Sequence, residues 1–253
     1  MSKKIMSKIE TGYRFEEKGH SHWFNGERMT GITTVLSVIA KPALISWAAN
    51  MAVDYIDEKL PVKRDNNVLS VDADDFKRIL EEARKAHTRK KETAGEKGKD
   101  IHALIEERIK GAIKNNNGMI DPQAIDENDQ IQKFIEWTQD NKVKFLESEL
   151  HLYSESKFLG GVCDFVAEID GEKWIGDIKT GGVYPEAFYQ MAGYQILMEE
   201  MKIYPDIKGH IVIGLKNGEL VEKRSISNED NQAAFLSALS LYRITQKVNG
   251  QIL

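Results

Sequence analysis

Asp164, Asp177 and Lys179 are the residues of this chain whose types and spacing point most directly to chemistry. They lie in Gly160–Tyr194, where residues 161–169 and 172–179 are rich in Val, Ile, Phe and Trp and Asp170-Gly171 forms a favoured two-residue hairpin turn. If Ile169 faces Glu172, the pairing runs back to set Asp164 opposite Asp177, with Cβ atoms about 4.5–5.5 Å apart. Like charges so placed repel, and a divalent cation is the simplest neutraliser. Strand alternation puts Lys179 on the face of Asp177 and turns Ile178 away. Carboxylate oxygens are hard ligands of the kind Mg²⁺ prefers, with water and a substrate phosphate completing its shell. That set suits hydrolysis of a phosphodiester, the metal acidifying a water and Lys179 positioning it or offsetting charge in the transition state.

The Asp-x-Lys spacing alone is weak, since it recurs at Asp57-Glu58-Lys59 and Asp206-Ile207-Lys208. Asp57 falls in a helical pattern. Asp206 sits in a turn before a strand with no hairpin partner to bring up a second carboxylate.

Four motifs in order, Gly98-Lys99-Asp100-Ile101-His102, Gly161-Val162-Cys163-Asp164, Asp177-Ile178-Lys179 and Gln190-Met191-Ala192-Gly193-Tyr194, resemble the GxxxH, GxxD, DxK and QxxxY signatures of RecB-type PD-(D/E)XK nucleases. Cys163 stands where Pro would precede the first Asp. The segment TGITTVLSVIAKPALISWAA is similar to the N-terminal region of phage-type exonucleases of that superfamily. The resemblance implies an α/β, restriction-endonuclease-like core, a mixed central β-sheet flanked by helices. It implies His102 as a metal ligand beside Asp164, Asp177 and the backbone carbonyl of Ile178, and Gln190 and Tyr194 on the DNA side. Glu149 becomes a candidate further acid, an exposed strand face being the alternative. The expected cofactor is Mg²⁺ or Mn²⁺, one or two ions. The expected activity is that of phage-type and mitochondrial-genome-maintenance exonucleases. They act on DNA that is single-stranded or has a free end, with a phage single-strand annealing or binding protein as an expected partner. A structure-specific endonuclease or resolvase would use the same residues. A catalytically inactive DNA-binding recombination module is the non-enzymatic alternative.

The elements that must position these groups follow from patterning. Tyr13–Glu16 and His22–Arg28 read as a hairpin in which His20 and His22 are ligand candidates or, more simply, exposed turn and strand histidines. Thr33 or Thr34 would cap a short helix. Pro42 begins another, with Leu44, Ile45, Trp47, Ala48, Met51 and Tyr55 on one face. Residues 61–71 read as a polar connector before a long helix from Asp72 to Ile113, with a break near Gly95–Gly98 as one reading of its glycines. His102 and Glu106 lie one turn apart on it. Its stretch from Lys77 to Lys99 carries Lys85, Arg89, Lys90 and Lys97, a candidate phosphate-binding patch or a solvated face laced with ion pairs. A loop at 115–129, a helix to Asn141 and a strand from Lys144 to Tyr153 follow, the strand placing Glu147, Glu149 and His151 together. Thr180-Gly181-Gly182 is a loop whose N–H groups suit a phosphate, and Pro185 opens the helix of Gln190 and Tyr194. Strands His210–Lys216 and Glu219–Ile226, turned at Asn217-Gly218, and a helix from Asn228 to Val248 complete the sheet.

For a chain of 253 residues the resemblance implies a 1–71 hairpin and helical region contributing to the DNA channel and a 72–253 nuclease core. A net charge of −5 excludes a nonspecific polycation, so nucleic-acid affinity must be local. The single cysteine, Cys163, excludes an internal disulfide and a four-cysteine iron-sulfur cluster. No run approaches ~18 apolar residues and the first ten lack an apolar signal core, so the expected location is cytoplasmic, away from membranes.

Overall fold

Asp170 and Gly171 take φ of +54° and +79°, the left-handed pair that lets a two-residue turn match the twist of its strands. The strands they join have Ile169 opposite Glu172 and Phe165 opposite Gly176, the register expected from the sequence. The structure, a computed structural model, describes residues 12–60, 63–65, 68–216 and 218–252. In chain order its elements are β1 (Tyr13–Glu16), β2 (Ser21–Phe24), β3 (Glu27–Arg28), β4 (Thr30–Gly31), α1 (Ile32–Val35) with a 3₁₀ turn after it, and α2 (Pro42–Lys59). Then come β5 (Lys63–Asp65), β6 (Val68–Ser70), α3 (Ala73–Ala83), α4 (Ala86–Asn115), α5 (Asp129–Asp140), β7 (Lys144–Ser154), β8 (Leu159–Ile169) and β9 (Glu172–Lys179). The last are α6 (Glu186–Glu200), β10 (Ile207–Lys216), β11 (Glu219–Ser225) and α7 (Asn228–Ile252). Asn217 of the expected β10–β11 turn lies outside the described residues, as do the first eleven.

The chain forms two units, one from the described residues up to Ile39 and those from Ile101 onward, the other Ala40–Asp100. The boundary therefore falls inside α4, not at residue 71. The helix's own sequence explains it. Ile101, Ile105, Ile109 and Ala112 make a buried stripe at helical spacing, whereas its first half, AHTRKKETAGEKGKD, offers none. The long helix expected from Asp72 is two helices, parted at Arg84-Lys85 where the guanidinium of Arg89 donates to the Glu82 carbonyl at the end of α3. No break occurs at Gly95–Gly98.

In the larger unit the sheet runs β11-β10-β9-β8-β4, with β7 also on β8. β9 and β10 are parallel and β7, β8 and β9 antiparallel, so the sheet is mixed. One face is covered by α1, α6 and α7 around Ile32, Tyr194, Leu197 and Phe235. The other packs the second half of α4 and α5, through Ile105, Ile109, Phe134 and Ile135, against Phe165, Ile178 and Ile213. The fold is α/β, a mixed central sheet flanked by helices.

One edge of β8 is shared. β4 pairs with it at Leu159 and Gly160, and β9 from Phe165 to Ile169, while β7 occupies the other edge throughout. Residues 161–164 are left without a strand partner on the shared edge among the described residues. Beyond Gly176, β9 leaves β8 and continues on β10, with Asp177 beside Val212 and Lys179 beside Gly214.

Several local expectations are corrected. The N-terminal hairpin's second strand ends at Phe24, because Asn25 and Gly26, at φ +51° and +84°, make another two-residue turn before β3. Gly31, not Thr33 or Thr34, is the N-cap of α1. On α2, Leu44 and Ile45 are 51% and 76% exposed; within its unit α2 meets α3, with Tyr55 under Arg89 and Trp47 edge-on to His87. No single helix among the described residues is long and apolar enough to cross a membrane.

Candidate active site

The sequence predicts Asp164 opposite Asp177, and both lie one step past the last β8–β9 pair, where the strands part. Asp177 is 1% exposed. Lys179 Nζ stands 2.8 Å from its Oδ1 and 2.6 Å from its Oδ2. Only the Oδ1 contact is directed as a hydrogen bond; Oδ2 is buried with no directed donor. Gln190 donates from Nε2 to Asp177 Oδ1 at 3.3 Å and to Tyr194 Oη at 2.8 Å. The four-residue spacing on α6 makes that pair. Tyr194 is buried and Gln190 half-buried, and together they orient Asp177. Ile178 points to the opposite core.

Asp164 accepts the backbone N–H of Ile178 on Oδ2 at 2.8 Å. The part of Ile178 brought to Asp164 is thus its N–H, while the resemblance implied a role for its carbonyl. His102 Nδ1 lies 3.7 Å from the same Oδ2, beyond hydrogen-bond range. Glu106, one turn on, is ion-paired with Lys110.

Glu149 faces Asp164 across β7, between the pairs Ser148–Phe165 and Leu150–Cys163. Its φ is +50°, rare for a non-glycine residue and costing on the order of 1–3 kcal/mol. A bulge between Phe145 and Glu147 precedes it. Past it the β7–β8 register is unbroken from Glu147 to Ser154, and Glu149 and His151 both feel the charge of Lys110. Glu147 accepts from Tyr204 Oη at 2.7 Å and His151 meets the Phe15 ring edge-on.

Burial, then the neighbouring Asp164, raises the Asp177 pKa. Burial acts to lower that of Lys179, but the Asp177 and Asp164 carboxylates outweigh it and hold the ammonium charged. Glu149 is pushed up to about 7 by burial and by the charges of Asp164 and Glu106.

Two glycines let these parts meet. A Cβ on Gly160 would stand 2.3 Å from His22 Cγ, and one on Gly161 2.5 Å from the Tyr194 ring. His22 is accordingly buried, its Nδ1 2.9 Å from Tyr13 Oη, and not the exposed strand residue expected. The Gly160-Gly161 pair was the sequence signal for this packing. His20 stands in the turn with Nδ1 on the Glu17 carbonyl.

In the smaller unit Arg89 is committed to Glu82 at 2.6 Å and to the Tyr55 ring, and Lys85 lies 3.9 Å from Glu82. Lys90 and Lys97 are exposed.

Among the described residues no three His, Cys, Asp or Glu side chains converge as a preformed metal cluster. A hard cation nevertheless fits Asp164 and Asp177. Two carboxylates meet there, Asp177 Oδ2 is buried without a directed donor, and a cation would relieve the repulsion that raises Asp177.

No family model matches the chain, and no curated protein matches it. Among solved structures it is similar to one described as "Crystal structure of SSO0001", at 12% identity over 78% of this chain and 86% of that one, with a TM-score of 0.33.

Proposed function

We propose that the larger unit is a metal-dependent deoxyribonuclease of the PD-(D/E)XK type that hydrolyses phosphodiester bonds from DNA ends. The observation that carries this reading is the buried Asp177 carboxylate, gripped by Lys179 and Gln190 with one oxygen undonated, beside Asp164 at the mouth of a splayed hairpin. Mg²⁺ or Mn²⁺ on Asp164 and Asp177, with His102 alongside, would polarise a phosphoryl oxygen and lower the pKa of a bound water. The chain's own groups do the rest. The Ile178 N–H fixes the Asp164 carboxylate. Gln190, braced on Tyr194, fixes that of Asp177. Lys179, held charged, offsets negative charge growing on the phosphoryl oxygens. Glu149, with a pKa near neutrality, is suited to take up a proton. The preference for ends and a partnership with a single-strand annealing protein rest on the resemblance to phage-type exonucleases.

The test is incubation with end-labelled linear single- and double-stranded DNA and with circular DNA, in Mg²⁺, Mn²⁺ or EDTA. Cleavage confined to linear DNA, lost in EDTA and cut by on the order of 10²-fold or more in Asp177→Ala and Lys179→Ala, is the expected result. DNA binding without cleavage in either metal would leave a DNA-binding module as the account.

A further inference from the structure

A groove of about 750 Å³ lies between the second half of α4 and the segment 116–124 that follows it, within the larger unit. Leu104, Arg108, Gly111 and Asn115 line it from α4, at a spacing that puts them on one helix face. They span about 16 Å of helix, the length of about five extended residues. Ala112 and Ile120, which also line it, are buried, whereas Leu104 and Met119 are 41% and 40% exposed. The wall opposite α4 is firmly built although residues 116–128 hold no helix or strand. The N–H groups of Asn116 and Gly118 both donate to the Ala112 carbonyl at 3.0 Å, and Phe145 donates to the Gly118 carbonyl at 2.8 Å. Gln139 Nε2 holds the Asp121 and Pro122 carbonyls at 3.3 and 3.2 Å. An ordered connection of this length without secondary structure is usually a functional one.

Glycine at position 111 weakens a helix relative to alanine, and no contact within the chain requires it, since no atom lies within 4 Å of where its Cβ would be. The charges indicate what would use that space. Arg108, the basic residue of the lining, is ion-paired with Asp126 at 2.6 Å. Glu107 has no partner and Asp121 no ion pair among the described residues, and both are exposed. Apolar surface beside two unbalanced carboxylates suits a basic peptide and repels the phosphates of a nucleic acid. The Asn115 amide, without a partner among the described residues, offers a donor and an acceptor to a peptide backbone. We propose that this groove docks a basic, apolar segment of a partner protein, about five residues long. The segment would lie along α4 across Gly111, with lysine or arginine side chains on Glu107 and Asp121 and an apolar side chain over Ile120 between Leu104 and Met119. None of these residues belongs to the Asp164, Asp177 and Lys179 site, so the proposal stands without the nuclease reading.

A displayed library of random short peptides is selected on the full chain after depletion on Gly111→Leu. The new Cβ of that variant meets no atom of the chain and the substitution favours the helix, so its melting temperature should equal or exceed that of wild type. Sequences that survive depletion should combine lysine or arginine with leucine, isoleucine or methionine. The most enriched peptide, synthesised with a fluorophore, should bind wild type at least about tenfold tighter than it binds Gly111→Leu. The double variant Glu107→Gln/Asp121→Asn, altered only at exposed positions, should show the same loss, and added salt should weaken binding to wild type. A copy of the peptide with glutamate at its basic positions should not bind. An absence of survivors, survivors without basic residues, or a peptide that binds all three proteins alike overturns the proposal. Displacement of the peptide by single-stranded DNA also overturns it, making the groove a nucleic-acid surface.

Discussion

The Asp164 carboxylate accepts the backbone N–H of Ile178 at 2.8 Å, so the first acid of the site also supports the strand that carries the second. Charge and support can be separated. Asp164→Asn keeps an acceptor for that N–H and should leave the melting temperature within a few degrees while removing cleavage by on the order of 10²-fold or more. Asp164→Ala also strands a backbone donor and should cost about 1–3 kcal/mol in denaturant unfolding. Equal stability of the two variants would show that the hydrogen bond contributes nothing.

Gln190 and Tyr194 act through Asp177. Tyr194→Phe removes one hydrogen bond from a buried ring and should cost about 0.5–1.5 kcal/mol, with a lower kcat and an unchanged KM. A rise in KM alone would place the hydroxyl on substrate.

Gly161→Ala should be more harmful to turnover than its size suggests. The new Cβ would stand 2.5 Å from the Tyr194 ring and 3.0 Å from Ile32 Cγ1, displacing the brace of Gln190. A loss of about 1–3 kcal/mol is expected from the overpacking, with kcat falling further than stability does. Wild-type kcat in this variant would sever Tyr194 from the site.

Acid should unfold the larger unit early. His210 is fully buried with Nε2 on Gln195 Oε1, and burial lowers its pKa to about 4 from an ordinary 6.5. His22 is lowered to about 4 by burial and then by His151 and His20. Above pH 6.5 both are neutral folded and unfolded, and their full stability is present. Between 6.5 and 4 the unfolded chain takes up protons that the folded one refuses. Stability should fall by up to about 1.4 kcal/mol per pH unit for each histidine. Urea unfolding across pH 4–7 measures the slope, and His210→Gln should flatten it; an unchanged slope would assign the acid sensitivity elsewhere.

The central hairpin was legible because Asp170-Gly171 is an unambiguous turn, and a known turn fixes every cross-strand neighbour. Asp164, Asp177 and Lys179 therefore fell into place from spacing alone. Asn25-Gly26 carried the same kind of signal, masked by an apolar run, Trp23-Phe24, that reads on as strand. Glu149 was legible as an acid but not as a strained one: its left-handed backbone follows a bulge set by β8, and no local pattern announces it. The break at Arg84-Lys85 has no glycine or proline; it is stabilised by Arg89 reaching back, a contact between residues seven apart. The unit boundary inside α4 was visible in hindsight as the point where isoleucines begin to recur every fourth residue.

The shared edge of β8 bears on the order of assembly. Asp164 and Asp177 come from one tight hairpin, a local structure that forms on the microsecond scale. Thr30 and Gly31, which with Gly160 and Gly161 line a cavity of about 460 Å³, must find Leu159 and Gly160 across about 130 intervening residues, and such long-range closures come late in folding. The chain should therefore acquire its cluster of charge well before the crevice beside it closes. Pulsed hydrogen exchange would then protect Gly176 and its neighbours ahead of Gly31.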